Sequence, residues 1–193
     1  MLERIIGVIT LKAPIYRQIA DDQTATPQAL SIVVVASLVR GFFENLVKIT
    51  NGTTHASVLG AIVGAIGALI IGLVAWVFTA WVLAFVAKTL GGKTDTSEML
   101  RVTGYVNVFS LVGVLNIFLL ISPALSCITG LISLVVGILS LIGYVIGVRE
   151  AAEFSTGNAI ITAVIAAIIN FLIVVVIGGS VAAFVLAIVA ITR

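Results

Sequence analysis

Charge is what this chain lacks most. Its 193 residues include 10 Lys and Arg and 8 Asp and Glu, 9% charged in all, against 61% hydrophobic. Soluble domains carry roughly 25% charged residues, and a chain of this size needs polar side chains to cover its surface. The solvent around most of this chain must therefore be lipid. An all-α, polytopic helix bundle forming one membrane domain over residues 1–193 follows, and a mean hydropathy of +1.32 agrees.

Reactive side chains are equally scarce. A single histidine, His55, rules out a histidine metal cage or a catalytic triad. A single cysteine, Cys127, excludes an internal disulfide and a thiolate metal site. It lies in an apolar stretch and reads as a small buried hydrophobe rather than a nucleophile. Catalytic, cofactor-binding and metal-binding residues are all expected to be absent. A net charge of +2 without a clustered basic face gives no footprint for nucleic acid. Residues 1–22 mix both signs of charge without a long apolar core, so no cleavable signal peptide is expected.

What the chain does have is long apolar runs. Residues 56–87, 102–148 and 154–192 carry no Asp, Glu, Lys or Arg, and about 20 apolar residues suffice for one crossing. Pro123 divides the middle run. A further span begins near Pro27, a favourable early helical residue. Five spans are predicted, at about 27–47, 58–87, 97–121, 124–147 and 157–180. The second is too long to cross upright and should tilt. Gly178 and Gly179 suggest an end or kink in the last. The remainder would protrude as a helical extension or fold back.

Ahead of the spans, Leu2, Ile5, Ile6, Ile9, Ile15, Tyr16 and Ile19 recur at helical spacing, with Pro14 as a break. Residues 1–24 are read as short amphipathic helices lying on the membrane interface. Lys and Arg set the orientation. Arg4, Lys12, Arg17, Lys88, Lys93, Arg101 and Arg149 gather on one side, against Lys48 and Arg193 on the other, with Arg40 nearby. This predicts a cytoplasmic amino terminus and a carboxyl terminus outside, in the plasma membrane if the host is prokaryotic.

Several polar groups have two readings. Arg40 and Glu44, four apart on one face of the weakest span, are an intramembrane ion pair, structural or functional. Glu150 and Glu153 could serve acid–base chemistry or bind a cation, or pair with adjacent Arg149 in an exposed turn. Asn107, Ser110, Asn116, Asn158 and Asn170 are expected to bond between helices, or else to line a pore. Gly60 with Gly64, and Gly143 with Gly147, are small-residue pairs for close helix packing, within one chain or between chains. Gly91-Gly92-Lys93-Thr94 lacks the earlier glycine of a phosphate-binding loop. It reads instead as the end of the second span, with Asp95 and Glu98 as a capping box for the third. Ser155 or Thr156 should cap the last span. Asn51-Gly52-Thr53 is a glycosylation sequon on the predicted outer loop.

The ordered set Pro14-Ile15-Tyr16 with Ile19-Ala20-Asp21, Leu90-Gly91-Gly92-Lys93, Leu100-Arg101-Val102-Thr103-Gly104-Tyr105, and Gly147-Val148-Arg149-Glu150 leading to Ser155-Thr156-Gly157 covers nearly the whole chain. In this set the chain resembles the Yip domain family, the Ypt/Rab-interacting membrane proteins, in its compact prokaryotic form. The resemblance implies five spans with a cytoplasmic amino terminus. It also implies association with Rab-type GTPases and membrane traffic in eukaryotic members. This chain lacks their long amino-terminal region, so that partner is not carried over.

A non-enzymatic scaffold or accessory subunit is therefore expected, binding other membrane proteins or itself within the bilayer. A small ion, proton or solute transporter or channel is the alternative. The expected interaction surface joins Pro14, Tyr16, Arg101, Tyr105, Arg149, Glu150 and Glu153 on the cytoplasmic face, with Glu98, Glu150 and Glu153 pairing with Arg101 and Arg149 across helices.

Overall fold

A computed structural model describes the backbone of residues 1–50 and 53–191, with side chains omitted at 49, 50, 53, 174 and 176–191. Two short helices open the chain, α1 (Leu2–Ile9) and α2 (Ala13–Asp21). The break between them precedes Pro14, at Leu11, whose positive φ of 56° lets Lys12 N–H reach back to Gly7 O. Pro14 therefore does not break the segment. It starts α2, where its missing N–H costs nothing.

Five helical stretches are long and apolar enough to cross a membrane: Ala25–Leu46, Val58–Thr89, Thr96–Leu120, Pro123–Ala152 and Thr156–Ile173. The protein is an integral, multi-pass membrane protein. The first span is helix α3 (Ala25–Leu46) and the second is α4 (Val58–Thr89), about 48 Å long at 1.5 Å per residue. Glycines end α4 as expected. Gly91 takes φ +85° and Gly92 N–H bonds Ala87 O at 2.9 Å. The capping box is formed: Asp95 accepts from Glu98 N–H at 2.7 Å, and the Glu98 carboxylate accepts from Asp95 N–H at 3.3 Å. Ser155 caps the last helix, accepting from Asn158 N–H.

Three features depart from the sequence reading. The third span is α-helical only over α5 (Thr96–Val106) and continues as a 3-10 helix over Asn107–Leu120. The change falls where the Asn107 and Ser110 side chains bond backbone carbonyls of their own segment, Thr103 O and Asn107 O. The loop between the first two spans is a β-hairpin, β1 (Val47–Thr50) against β2 (Thr53–Ala56), with Lys48 opposite His55. Asn51 and Gly52 of the sequon lie outside the described residues. Last, after a one-turn 3-10 start at Pro123–Leu125, the fourth span is α6 (Ser126–Ala152), and the fifth, α7, runs unbroken from Thr156 to Ile191. Gly178 and Gly179 therefore do not end it. Arg193 lies outside the described residues.

The core is concentrated at one end of the bundle. Tyr16, Ile19, Met99, Val102, Tyr105, Val106 and Val148 are fully buried there. The ends of α4 and α6 and the starts of α3, α5 and α7 meet around them. Helix α2 is amphipathic as expected, and it buries Tyr16, Ile19 and Ala20 against the bundle. It closes this end of the bundle as a cap. Helix α1 keeps the interfacial character: Leu2, Ile6 and Ile9 point outward while Val8 is buried.

The glycine pairs act within the chain. A Cβ on Gly147 would fall 2.3 Å from Val102, and one on Gly143 would fall 3.0 Å from the Tyr16 hydroxyl. The bare face of α6 is thus the groove that receives Tyr16 and Val102. A Cβ on Gly64 would meet the Asn45 side chain at 2.4 Å, and one on Gly41 would meet Ala68 at the same distance. Helices α3 and α4 touch nearly backbone to backbone.

Tyr16 is the keystone of the cap. Tyr16→Ala should destabilise the fold by about 3 kcal/mol, the range for emptying a buried aromatic site. Tyr16→Phe, which loses only the 3.0 Å bond to Val8 O, should cost about 1 kcal/mol. Equilibrium unfolding by SDS titration measures both, and equal costs would show that the ring does not dominate.

Candidate functional site

Two polar regions stand out, one at each end of the bundle. At the cap end, the expected interaction residues divide. Tyr16, Arg101 and Tyr105 are buried, and Pro14, Arg149, Glu150 and Glu153 are exposed or partly so. Arg101, only 6% exposed, does not pair with a glutamate. Its Nε and Nη2 both donate to Ala20 O, the Nε at 2.9 Å. This carbonyl is one of those left open at the C-terminus of α2, where the helix dipole favours a cation. Tyr105 donates to Gln28 Oε1 on α3. Burial pushes the Tyr16 phenol well above its usual value. All three fasten the cap and reach no surface.

The glutamates are also paired differently from expectation. Arg149 bonds its neighbour Glu150, at 2.7 Å from Nη2, and not Glu153. Glu153 takes Arg17 Nη2 at 2.8 Å and lies 4.0 Å from Lys93 Nζ. Arg17 also donates from Nη1 to Glu150 O and from Nε to Asp21. Thus α2, the loop after α4 and the turn after α6 meet at Arg17 and Glu153. Hydrogen bonding to Glu153 and then to Asp21 raises the Arg17 pKa further. Glu153 adopts φ +55°, a conformation that favours glycine at a helix end. A charged side chain is kept at a position whose backbone suits glycine better. Among the described residues, no group of three or more His, Cys, Asp or Glu could hold a metal ion.

Arg4, on α1, bonds Asp22 at the end of α2. The Thr24 hydroxyl at 2.7 Å, then Arg4, then Thr24 N–H at 2.8 Å hold the Asp22 carboxyl down at about 2, against a usual 3.8.

At the hairpin end lies a forked cleft. Its larger arm, about 480 Å³, is lined by α3, by α4 from Gly64 to Trp76, and by Asn107, Ser110 and Tyr144. Its smaller arm, about 270 Å³, runs between the 3-10 helix and α6, past Asn116, Ser133 and Ser140. Arg40, Glu44 and Ser110 belong to both arms. Arg40 Nε lies 3.2 Å from Glu44 Oε1, and the two side chains are 56% and 44% exposed. Arg40 and Glu44 are therefore paired, and the pair faces the cleft. Of the intramembrane polar groups, Asn170 bonds across helices, to Thr79 at 3.1 Å. Asn107 and Ser110 bond within their own segment, and with Asn116 they line the cleft. Asn158 is exposed at the start of α7. The cleft was missed because its wall is made by what α4 lacks: Gly64, Gly67, Ala68, Gly72 and Ala75 share one face. That spacing is the readable signal.

The model of the Yip1 domain family matches residues 6–178. Among curated proteins and among solved structures, nothing matches.

The Asp22 latch carries a pH test. A depressed carboxyl stabilises the docked state fully above pH about 4 and loses that contribution as pH falls through about 2. A spin label at Ile9→Cys, in a Cys127→Ser background, should be immobile at pH 7 and mobilise between pH ~4 and ~2. With Asp22→Asn it should already be mobile at pH 7. A label equally immobile at both limits would show that α1 does not depend on Asp22.

Proposed function

Because the chain belongs to the Yip1 domain family, we propose that it is a non-enzymatic membrane scaffold or accessory subunit, binding other membrane proteins or further copies of itself. The observation that supports this most is the composite face at Arg17 and Glu153. Three segments far apart in sequence are tied there into one surface by charge pairs rather than arranged around a cavity. Arg149, Glu150 and Lys93 lie on the same segments, and with Pro14 of α2 they are exposed or partly so. The strained backbone of Glu153 fits a surface selected for its charge pattern. Lipid covers the remaining exterior, where Val74, Val77, Trp81 and Phe85 of α4 are exposed. The distribution of Lys and Arg supports placing this face in the cytoplasm, with the carboxyl terminus outside. Where the host is prokaryotic, the membrane is the plasma membrane.

A transporter or channel has one observation in its favour, the forked cleft. Against it, the larger arm is floored by Trp76, whose indole N–H bonds Leu100 O and Thr103 Oγ1 at 3.1 Å each. The packed layer around Tyr16 and Met99 separates it from the cap end.

Crosslinking in native membranes should give discrete adducts of wild type. Arg149→Ala with Glu153→Gly should leave the chain inserted and folded, since Arg17 keeps its bond to Glu150 O and glycine suits φ +55°. Adduct yield should fall at least several-fold, and unchanged adducts from a folded double mutant would defeat the docking face. Orientation is read separately with an impermeant maleimide in the Cys127→Ser background. Ala56→Cys should label on intact cells, and Glu3→Cys only after permeabilisation.

A further inference from the structure

An ion pair half open to its surroundings is unremarkable in water and costly in hydrocarbon. Arg40 lies six residues before the end of α3, about 9 Å below the hairpin end at 1.5 Å per residue. Glu44 lies one turn nearer the end. At that depth lipid chains cannot hydrate a guanidinium or a carboxylate. Yet the only bond Arg40 makes among the described residues is from Nε to Glu44. Its two terminal nitrogens, four donors of the five on the guanidinium, have no protein partner there. The carboxylate of Glu44 has acceptor capacity beyond that one contact. Asn45 donates from Nδ2 to Gly41 O at 2.9 Å, which leaves its amide oxygen as a further acceptor.

We propose that the forked cleft at Arg40 and Glu44 binds a phosphoethanolamine group, as the headgroup of a phospholipid drawn from the leaflet at the hairpin end. The planar fork of Arg40 suits a phosphate, which accepts two parallel hydrogen bonds from it. A primary ammonium beside that phosphate completes the pairing on Glu44 and the Asn45 amide oxygen. The net charge of the group is zero, as is that of the Arg40–Glu44 pair, so occupancy leaves no charge uncompensated. The lining supports a lipid over a free solute. Ser37, Ser110, Asn107, Ser133 and Ser140 give polar walls. Ile71 in one arm, with Val112 and Val136 in the other, continues them as apolar surface for acyl chains.

Gly67 provides a clean test of occupancy. It lines the larger arm, and a Cβ added there would meet nothing within 4 Å. Gly67→Leu therefore enters the arm from a position whose Cβ displaces no neighbour and leaves Arg40 and Glu44 themselves unaltered, and it raises helix propensity.

The experiment is native mass spectrometry of the purified full-length chain in detergent. The probes are phosphatidylethanolamine, phosphatidylcholine, phosphatidylglycerol and free phosphoethanolamine. Wild type should retain one phosphatidylethanolamine in preference to the other two lipids, since a quaternary ammonium cannot hydrogen-bond and a glycerol headgroup lacks the cation. Arg40→Gln should lower that retention at least tenfold. Glu44→Gln should erase the preference for phosphatidylethanolamine over phosphatidylglycerol. Gly67→Leu should lose the lipid while melting at the wild-type temperature, and it decides the matter if Arg40→Gln does not fold. Retention of all three lipids alike, or retention undiminished in Gly67→Leu, would overturn the proposal. Binding of free phosphoethanolamine without the lipid would overturn the lipid source.

Discussion

Hydrocarbon offers no hydrogen bonds and gives helices no reason to hide apolar side chains from it, and both facts shape this molecule. Association must then come from close approach and from polar groups that find partners inside the protein. Close approach is visible wherever two backbones meet: Gly41 and Gly64 between α3 and α4, Gly104 against Ala29, and Gly143 with Gly147 under Tyr16 and Val102. A methyl group would collide with a neighbour at Gly41, Gly64, Gly104 and Gly147 and would crowd the Tyr16 hydroxyl at Gly143. The long apolar residues of α4, and those of α7 among the described side chains, by contrast largely face outward, because lipid accommodates them as well as protein does.

The same constraint explains the asymmetry of the bundle. At the cap end, water is close, and α2 can bring Arg17, Tyr16 and the carbonyl of Ala20 onto the helix ends. Arg101 closes the open end of α2, Tyr16 fills the α6 groove, and Glu153 joins the turn after α6 to both Arg17 and Lys93. Each contact satisfies a group that would otherwise be left open. At the hairpin end, no helix among the described residues plays that part. Small residues on α4 leave space, and the Arg40–Glu44 pair stands at the junction of two arms of one cleft. A tightly packed end and an open end thus arise from one rule applied with and without polar partners.

Local signals in the sequence were sufficient where the chemistry is local. The capping box at Asp95 and Glu98, the glycine stop at Gly91, the cap at Ser155 and the break at Pro123 each involve residues within a few positions of one another. The Arg40–Glu44 pair, one helical turn apart, was legible for the same reason. The partner of Arg101 was not, because it is a backbone carbonyl, and every residue carries one. Glu153 finds Arg17 across 136 positions, a distance over which spacing says nothing. The hairpin is a different kind of miss. Asn51-Gly52 between Val47-Lys48-Ile49-Thr50 and Thr53-Thr54-His55-Ala56 is a strong two-residue turn signal, and it was masked by a reading of the same residues as a sequon.

Around the cap the sequence reading assigned outward roles to residues that the fold turns inward, whereas Cys127, read as a buried hydrophobe, is exposed. Tyr16 and Tyr105 look like recognition aromatics at a membrane surface, and Arg101 looks like a docking cation. All three are buried, because an aromatic ring or a guanidinium at the edge of a bilayer gains more from a groove and a carbonyl than from exposure. What remains outside is a narrower set. Arg149 is matched to the adjacent Glu150, and Glu153 is held in a backbone conformation that glycine would adopt more easily. A residue kept against its own backbone preference needs a compensating interaction, and Arg17 supplies one across the cap. The charge of Glu153 is therefore tied first to assembly of the surface, and any recognition there acts on a face that this pairing has already built.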